Sequence, residues 1–216
     1  SAASDVYKRQ MKDHLTHVSP RVQNRNLPYT PVAPSDTMQN EPDTDFDLSQ
    51  NQEWVRRIFA KWKKSGTEEP EIIPLQIGAE TVVCKNRYKY LDRCQNDEVC
   101  ICEMSQADSA QVEKIIEIAE TDPAGWRKTT LEERHRIMYE AANRLADMRG
   151  DLIGCMCAVT GKTVIEGDVE VSEAVDYARF YTTAMKKFAA LDDIEIKPKG
   201  TILVISPWNF PCAIPV

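Results

Sequence analysis

Apolar residues recur at helical spacing in five stretches of the chain and alternate or run together in three others. Trp54, Ile58 and either Lys61 or Trp62 predict a helix near 50–64, with Ser49 or Asn51 available to cap it. "ADSAQVEKIIEIAE" predicts a second helix, opened by Asp108 with Gln111 at capping-box spacing. Its buried face would be Val112, Ile115, Ile116 and Ala119. A third starts at Thr130 with Glu133, carries Leu131, Met138, Ala142, Leu145 and Met148 on one face, and ends at Gly150. "DLIGCMCAVTGK" is short and closes at Gly161. The longest runs from about 166 to 189, with a core stripe of Val171, Ala174, Val175, Ala178, Thr182, Met185 and Phe188. "AETVVCK" (79–85) and "EVCICEM" (98–104) read as strands, the second with Val99 and Ile101 opposite Cys100 and Cys102. The segment between them has room for a third strand. "TILVIS" (201–206) is apolar without alternation, the pattern of a strand covered on both faces in a parallel sheet.

Residues 1 to about 37 show neither period. "NRNLPYTPVAPSD" holds three prolines and little to bury, so the segment reads as a disordered leader or linker. The first ten residues resemble foreign leader sequence. Residues 38–216 remain as the folded portion.

Of the 216 residues 42% are apolar and 28% charged, which is ordinary for a globular protein. A net charge of −7 argues against a general nucleic-acid binder. No apolar run reaches the ~18 residues of a membrane span, and no signal peptide opens the chain, so the expected compartment is cytoplasmic. The seven cysteines are odd in number and expected to be reduced. Two C-x-C pairs and three histidines, all before residue 136, do not make a zinc pattern, and no metal is expected.

"GCMCAVTGKT" invites a phosphate-loop reading, but six residues separate its glycines where four are needed, and the segment reads as a helix ending at Gly161. No G-x-G-x-x-G is present. The end of the chain carries more chemistry. In open α/β sheets ligands bind beyond the carboxyl ends of strands. "TILVIS" delivers Ser206-Pro207-Trp208-Asn209-Phe210-Pro211 to such an edge. Trp208 offers a flat apolar wall, and Asn209 a neutral donor suited to a developing oxyanion. The same residues also suit a proline-rich turn with a packed Trp. Glu173 shares a helix stripe with Tyr177, Phe180 and Ala184. It suits either a substrate ammonium or a solvated face. Cys212 has no base nearby in sequence and reads as a small apolar residue, not a nucleophile.

"ISPWNFP" resembles the proline-tryptophan-asparagine motif of the aldehyde dehydrogenase superfamily. "GWRKTTLEERHRIMYEAANRLADMRGDLIG" and "GKTVIEGDVEVSEAVDYARFY" resemble the same family in order. "NEPDTDFDLSQNQEWV" and "EVSEAVDYARFY" are similar to Δ1-pyrroline-5-carboxylate (L-glutamate γ-semialdehyde) dehydrogenases, above all to those fused behind a proline dehydrogenase in bifunctional proline utilisation proteins.

The resemblance covers residues 38–216. It implies an α/β chain forming the N-terminal part of the aldehyde dehydrogenase fold, helices and short strands leading into a Rossmann-like parallel sheet, truncated. It implies that Ile205, Ser206, Pro207 and Trp208 line an NAD site, that Asn209 is the catalytic oxyanion donor, and that Phe210 flanks the aldehyde channel. Glu173 would lie near the amino end of the substrate. The family's nucleophilic cysteine and general-base glutamate are expected beyond Val216, so the chain by itself is expected to be inactive. FAD is implied only if a proline dehydrogenase domain precedes it. The expected partners are a small aldehyde and, in the full-length protein, further copies of itself. Another semialdehyde dehydrogenase and a non-catalytic binding module are the alternatives.

Overall fold

The computed structural model describes residues 21–63, 68–92, 95 and 99–216. The leader reading for residues 1–20, His14, His17 and Cys94, and the element ends predicted at Lys64 and Glu98, lie outside the described residues. Helix α1 (Ser49–Trp62) precedes five short strands in two small sheets, and helices α2 (Ser109–Thr121), α3 (Leu131–Asp147), α4 (Arg149–Thr160) and α5 (Val164–Ala189) follow them. Strands β1 (Glu71–Ile73), β5 (Cys100–Ser105) and β4 (Arg87–Leu91) form one sheet in that order, with β1 parallel and β4 antiparallel to β5. Strands β2 (Leu75–Ile77) and β3 (Glu80–Val82) form a hairpin turned at Gly78, whose φ of 61° is natural for glycine.

The core lies among α3, α4 and α5. Ala142, Ala146, Ile153, Met156, Val171, Ala174, Val175 and Ala178 pack there with Cys212 and Ala213 from the chain's end. Small side chains let the three helices approach closely. On α1 the stripe resolves to Trp54, Ile58 and Trp62. The Trp62 indole fills the space a Cβ on Gly154 would need, only 2.2 Å away, while Lys61 faces out to Asp151. Neither Ser49 nor Asn51 caps α1. Asn51 is fully buried and donates to the Asp45 carbonyl at 3.0 Å, an internal tie.

Three helix starts are capped by side chains. Asp108, Thr130 and Thr163 each accept from the backbone N–H three residues on, and Gly161 closes α4 with φ 75°. The predicted break at Gly150 falls instead at Met148. Gly150 sits inside α4, where a Cβ would touch Trp54 and Ile58 at 3.4 Å.

Several sequence expectations fail for identifiable reasons. The α5 stripe is buried through Ala178, but Met185 and Phe188 are exposed. Lys186 pairs with Glu132 at the start of α3, and beyond it α5 outruns its neighbour. Helix α2 forms, yet Val112, Ile115 and Ile116 remain exposed; its contacts to the small β2–β3 hairpin are Ile118 against Gly78 and the Lys114–Glu80 pair at 2.6 Å, which leave that apolar face uncovered. Residues 201–206 do not form a strand. No described strand lies beside them, and Leu203 and Ile205 are 82% and 83% exposed.

The reading of residues 21–37 as disordered also fails. Tyr29 and Val32 bond Asn143 on α3, and Ser35 O accepts from the Tyr139 hydroxyl at 3.0 Å. These bonds cover His135, which is 1% exposed against the Tyr139 ring. Just beyond, Glu41 bridges Arg149 at 3.3 Å and Arg179 at 3.2 Å, all three buried. Asp168 pairs with Arg149 at 2.8 Å and accepts from the Thr44 N–H at 2.6 Å. Segment 21–47 is therefore held by hydrogen bonds and charge, which apolar periodicity does not register. Among the described residues no helix is long and apolar enough to cross a membrane.

Candidate active site

Helix α4 stops at Gly161, and α5 restarts two residues later under the Thr163 cap. The short connection places Lys162, its side chain 15% exposed, at the head of α5. The chain's final segment returns to this point. Pro207 O accepts from the Phe210 N–H at 3.1 Å, closing a turn that holds Trp208 and Asn209 at its tip. Prolines at both ends of the turn limit its backbone freedom. Cys212 and Ala213 then enter the core at 8% and 1% exposure.

Turn and helix together enclose an open cleft of about 520 Å³. Trp208, Asn209 and Phe210 line it from the turn, Lys162 from the connection, and Glu173 from α5. Four of the seven expected site residues thus meet in one space. Ile205, Ser206 and Pro207 do not line it. Ile205 is almost fully exposed, Ser206 half-buried and Pro207 exposed. Trp208 also borders a second, apolar cleft with Tyr88 and Tyr90 of β4, Cys155 of α4 and Pro211.

The polar groups of the first cleft differ in how they are engaged. Glu166 is committed to the cap, and the Thr163 backbone and hydroxyl bonds hold its carboxyl below the usual range. Glu170 and Lys162 pair with each other. The half-buried Glu173 carboxylate and the Asn209 amide have no hydrogen bond or ion pair to any described residue. With the Trp208 indole N–H, they are the cleft's polar groups without a described partner.

Neither nearby thiol suits nucleophilic attack. Burial, and then the Glu170 carboxylate, pushes the Cys212 thiol up to about 11, and burial raises Cys155 as well. Both stay protonated near neutrality. Among the described residues no group of three His, Cys, Asp or Glu side chains gathers to hold a metal.

The sequence reading passed over Glu170 and Lys162. Glu170 looked like one more polar residue on α5, but it is 1% exposed and accepts from the Cys212 and Ala213 backbone N–H groups at 2.7 and 3.1 Å. No residue type or spacing in the sequence marks it, because its partners at the chain's end are backbone amides.

An antiparallel β4–β5 pair lies beside α4, and the Pro207–Pro211 turn closes on the long helix α5. The sequence profile of the aldehyde dehydrogenase family matches residues 84–216, and the chain belongs to that family. The 1-pyrroline-5-carboxylate dehydrogenase of Geobacillus sp. (strain WCH70) is 31% identical over 186 residues, 81% of this chain and 35% of that protein. The chain therefore spans about a third of the length of the curated relatives it matches. Among solved structures, 1-pyrroline-5-carboxylate dehydrogenase from Thermus with bound NAD aligns with a TM-score of 0.72 and 25% identity, over 82% of this chain and 36% of that one. Proline utilization A from Bdellovibrio bacteriovorus aligns with a TM-score of 0.75 and 24% identity, over 86% of this chain and 20% of that one, a likeness of fold.

Proposed function

We propose that this chain is part of an NAD-dependent dehydrogenase that oxidises L-glutamate γ-semialdehyde to L-glutamate in proline catabolism in the cytoplasm. The observation that carries the reading is the pairing of two unengaged groups, the Asn209 amide and the Glu173 carboxylate, across one cleft. An amino-acid semialdehyde has an ammonium at one end and a reacting carbonyl at the other. A carboxylate suits the first and a neutral donor the second. The names of the relatives support the same substrate class.

In this reading the Asn209 N–H donates to the aldehyde oxygen as it gains charge. Because the donor does not titrate, it works across the physiological range. Glu173 orients the ammonium, and the Phe210 ring flanks the path of the aliphatic chain. The residues present fit a flat nicotinamide-type group as one wall only: Ile205 and Trp208 expose apolar faces, with Ser206 and Pro207 between them. When bound, NAD supplies the acceptor for the hydride. The attacking thiolate and general base of the family are expected outside these residues, so the 216-residue chain alone should form no NADH.

The test uses a polypeptide of the relatives' full length that contains this chain. It should reduce NAD with L-glutamate γ-semialdehyde, and Glu173→Gln should raise KM for that substrate while leaving a simple aliphatic aldehyde unaffected. Equal losses on both substrates would remove Glu173 from substrate recognition. NADH formation by the 216-residue chain alone would contradict the division of catalytic parts.

A further inference from the structure

Neither the Trp208 nor the Asn209 side chain has a hydrogen bond to a described residue, so the turn that carries them is held from elsewhere. Glu170 lies one turn before Glu173 on α5 and is buried. Its Oε1 accepts from two successive backbone amides, Cys212 at 2.7 Å and Ala213 at 3.1 Å, immediately after the turn. Its Oε2 pairs with Lys162 Nζ. That ammonium in turn stands 4.4 Å from the centroid of the Phe210 ring, inside the turn. One carboxylate thus grips the chain after the turn directly and the turn itself through Lys162. A side chain with Glu173 on its own helix therefore sets the turn that carries Asn209.

We propose that Glu170 and Lys162 are positioning residues that fix the Pro207–Pro211 turn, and with it the distance between the Asn209 amide and Glu173. Glu170 acts through two backbone amides, and Lys162 through the Phe210 ring. Bonds to an ionised acceptor are stronger than neutral ones, and buried they lose little to solvent. The importance of the turn rests on the function proposed above. The clamp itself can be tested without any activity.

The 216-residue chain is labelled with ¹⁵N and compared with Glu170→Gln, Glu170→Ala and Lys162→Met. In the parent, the Cys212 and Ala213 amide protons should resonate downfield and exchange slowly. Glu170→Gln should speed their exchange about tenfold and Glu170→Ala roughly a hundredfold, the factors for weakening and losing a charge-assisted bond. Amides of the core, such as Ala142 and Ile153, should keep their rates. In all three variants the Asn209 backbone and side-chain amides should become more mobile by heteronuclear relaxation. Lys162→Met should do this while leaving Cys212 and Ala213 slow. Unchanged Cys212 and Ala213 exchange in both Glu170 variants overturns the clamp. So does equal acceleration of every amide, which would mark a general packing role, and so does undiminished order at Asn209. If a polypeptide of the relatives' full length that contains this chain fails to reduce NAD with L-glutamate γ-semialdehyde while these signals behave as stated, the functional reading is refuted and the clamp stands.

Discussion

Removing Glu41 should cost this fold more than removing almost any surface charge. Glu41 is 7% exposed and touches three guanidinium groups: Arg149 and Arg179, each 2% exposed, and the part-buried Arg25 at 3.8 Å. In Glu41→Ala, Arg149 keeps Asp168 at 2.8 Å and Ser172 at 3.1 Å. Arg179 keeps only the Tyr29 hydroxyl, at 2.9 Å, and becomes a buried cation without a counter-charge. Breaking a buried pair from one side typically costs about 3–5 kcal/mol. Against a usual total of about 5–15 kcal/mol, that is a large fraction of the stability. Glu41→Gln keeps one acceptor but turns an NH₂ toward a guanidinium, so its cost should lie between, about 1–3 kcal/mol. Glu140→Ala removes an exposed pair with Arg144 and should cost about 0.5 kcal/mol or less. Urea unfolding followed by far-ultraviolet circular dichroism ranks the three. The loss should appear first at the tie itself, so proteolysis within residues 21–47 should accelerate in Glu41→Ala before the helices melt. A Glu41→Ala variant within about 1 kcal/mol of the parent, well below the range for a buried pair, would refute this account of how the segment is held.

Gly154→Ala should displace the Trp62 indole, because the new Cβ would stand 2.2 Å from the ring. A cost of about 1–3 kcal/mol and a red-shifted tryptophan emission are expected, and an unchanged spectrum would contradict it. Cys212 should resist a disulfide reagent at pH 8 in the folded chain. Its folded pKa of about 11 lies above the ordinary 9.0, so between these values the unfolded chain releases a proton that the folded chain keeps. Stability should therefore fall as pH rises from about 9 to about 11. Cys212→Ala should flatten that part of the profile, and an unaltered slope would assign the alkaline loss elsewhere.

The parts of the fold legible from sequence are those where burial and period coincide. Val171, Ala174, Val175 and Ala178 mark the inner face of α5 by spacing alone, and the Asp108 and Thr130 caps follow from side-chain chemistry, whereas the Thr163 cap, two residues before the expected start of α5, went unread. Segment 21–47 was illegible for the converse reason. Asn51, Glu41, Asp168, Arg149 and Arg179 are buried polar groups that satisfy one another, and each alone looks like surface. The α2 face and residues 201–206 show the pattern of burial without a described partner to bury against. At the site, Asn209 and Trp208 were signalled by the proline-bounded turn, and Glu173 by its aromatic stripe. Nothing in their spacing could place Glu173 beside a turn more than thirty residues later. Glu170 escaped notice because its partners are backbone amides, which carry no residue-type signature.

The most direct measurement is single-turnover hydride transfer by a polypeptide of the relatives' full length that contains this chain, with Asn209 and with Asn209→Ala. A donor that meets charge formed only in the transition state acts mainly on kcat. Loss of one such donor costs on the order of 10²–10³ in rate. Asn209→Ala should therefore slow the step by that factor while melting temperature and NAD affinity stay near the parent's, and Asn209→Asp should be at least as slow. A folded Asn209→Ala enzyme that turns over within about threefold of the parent, far short of the oxyanion expectation, would contradict the role given to Asn209.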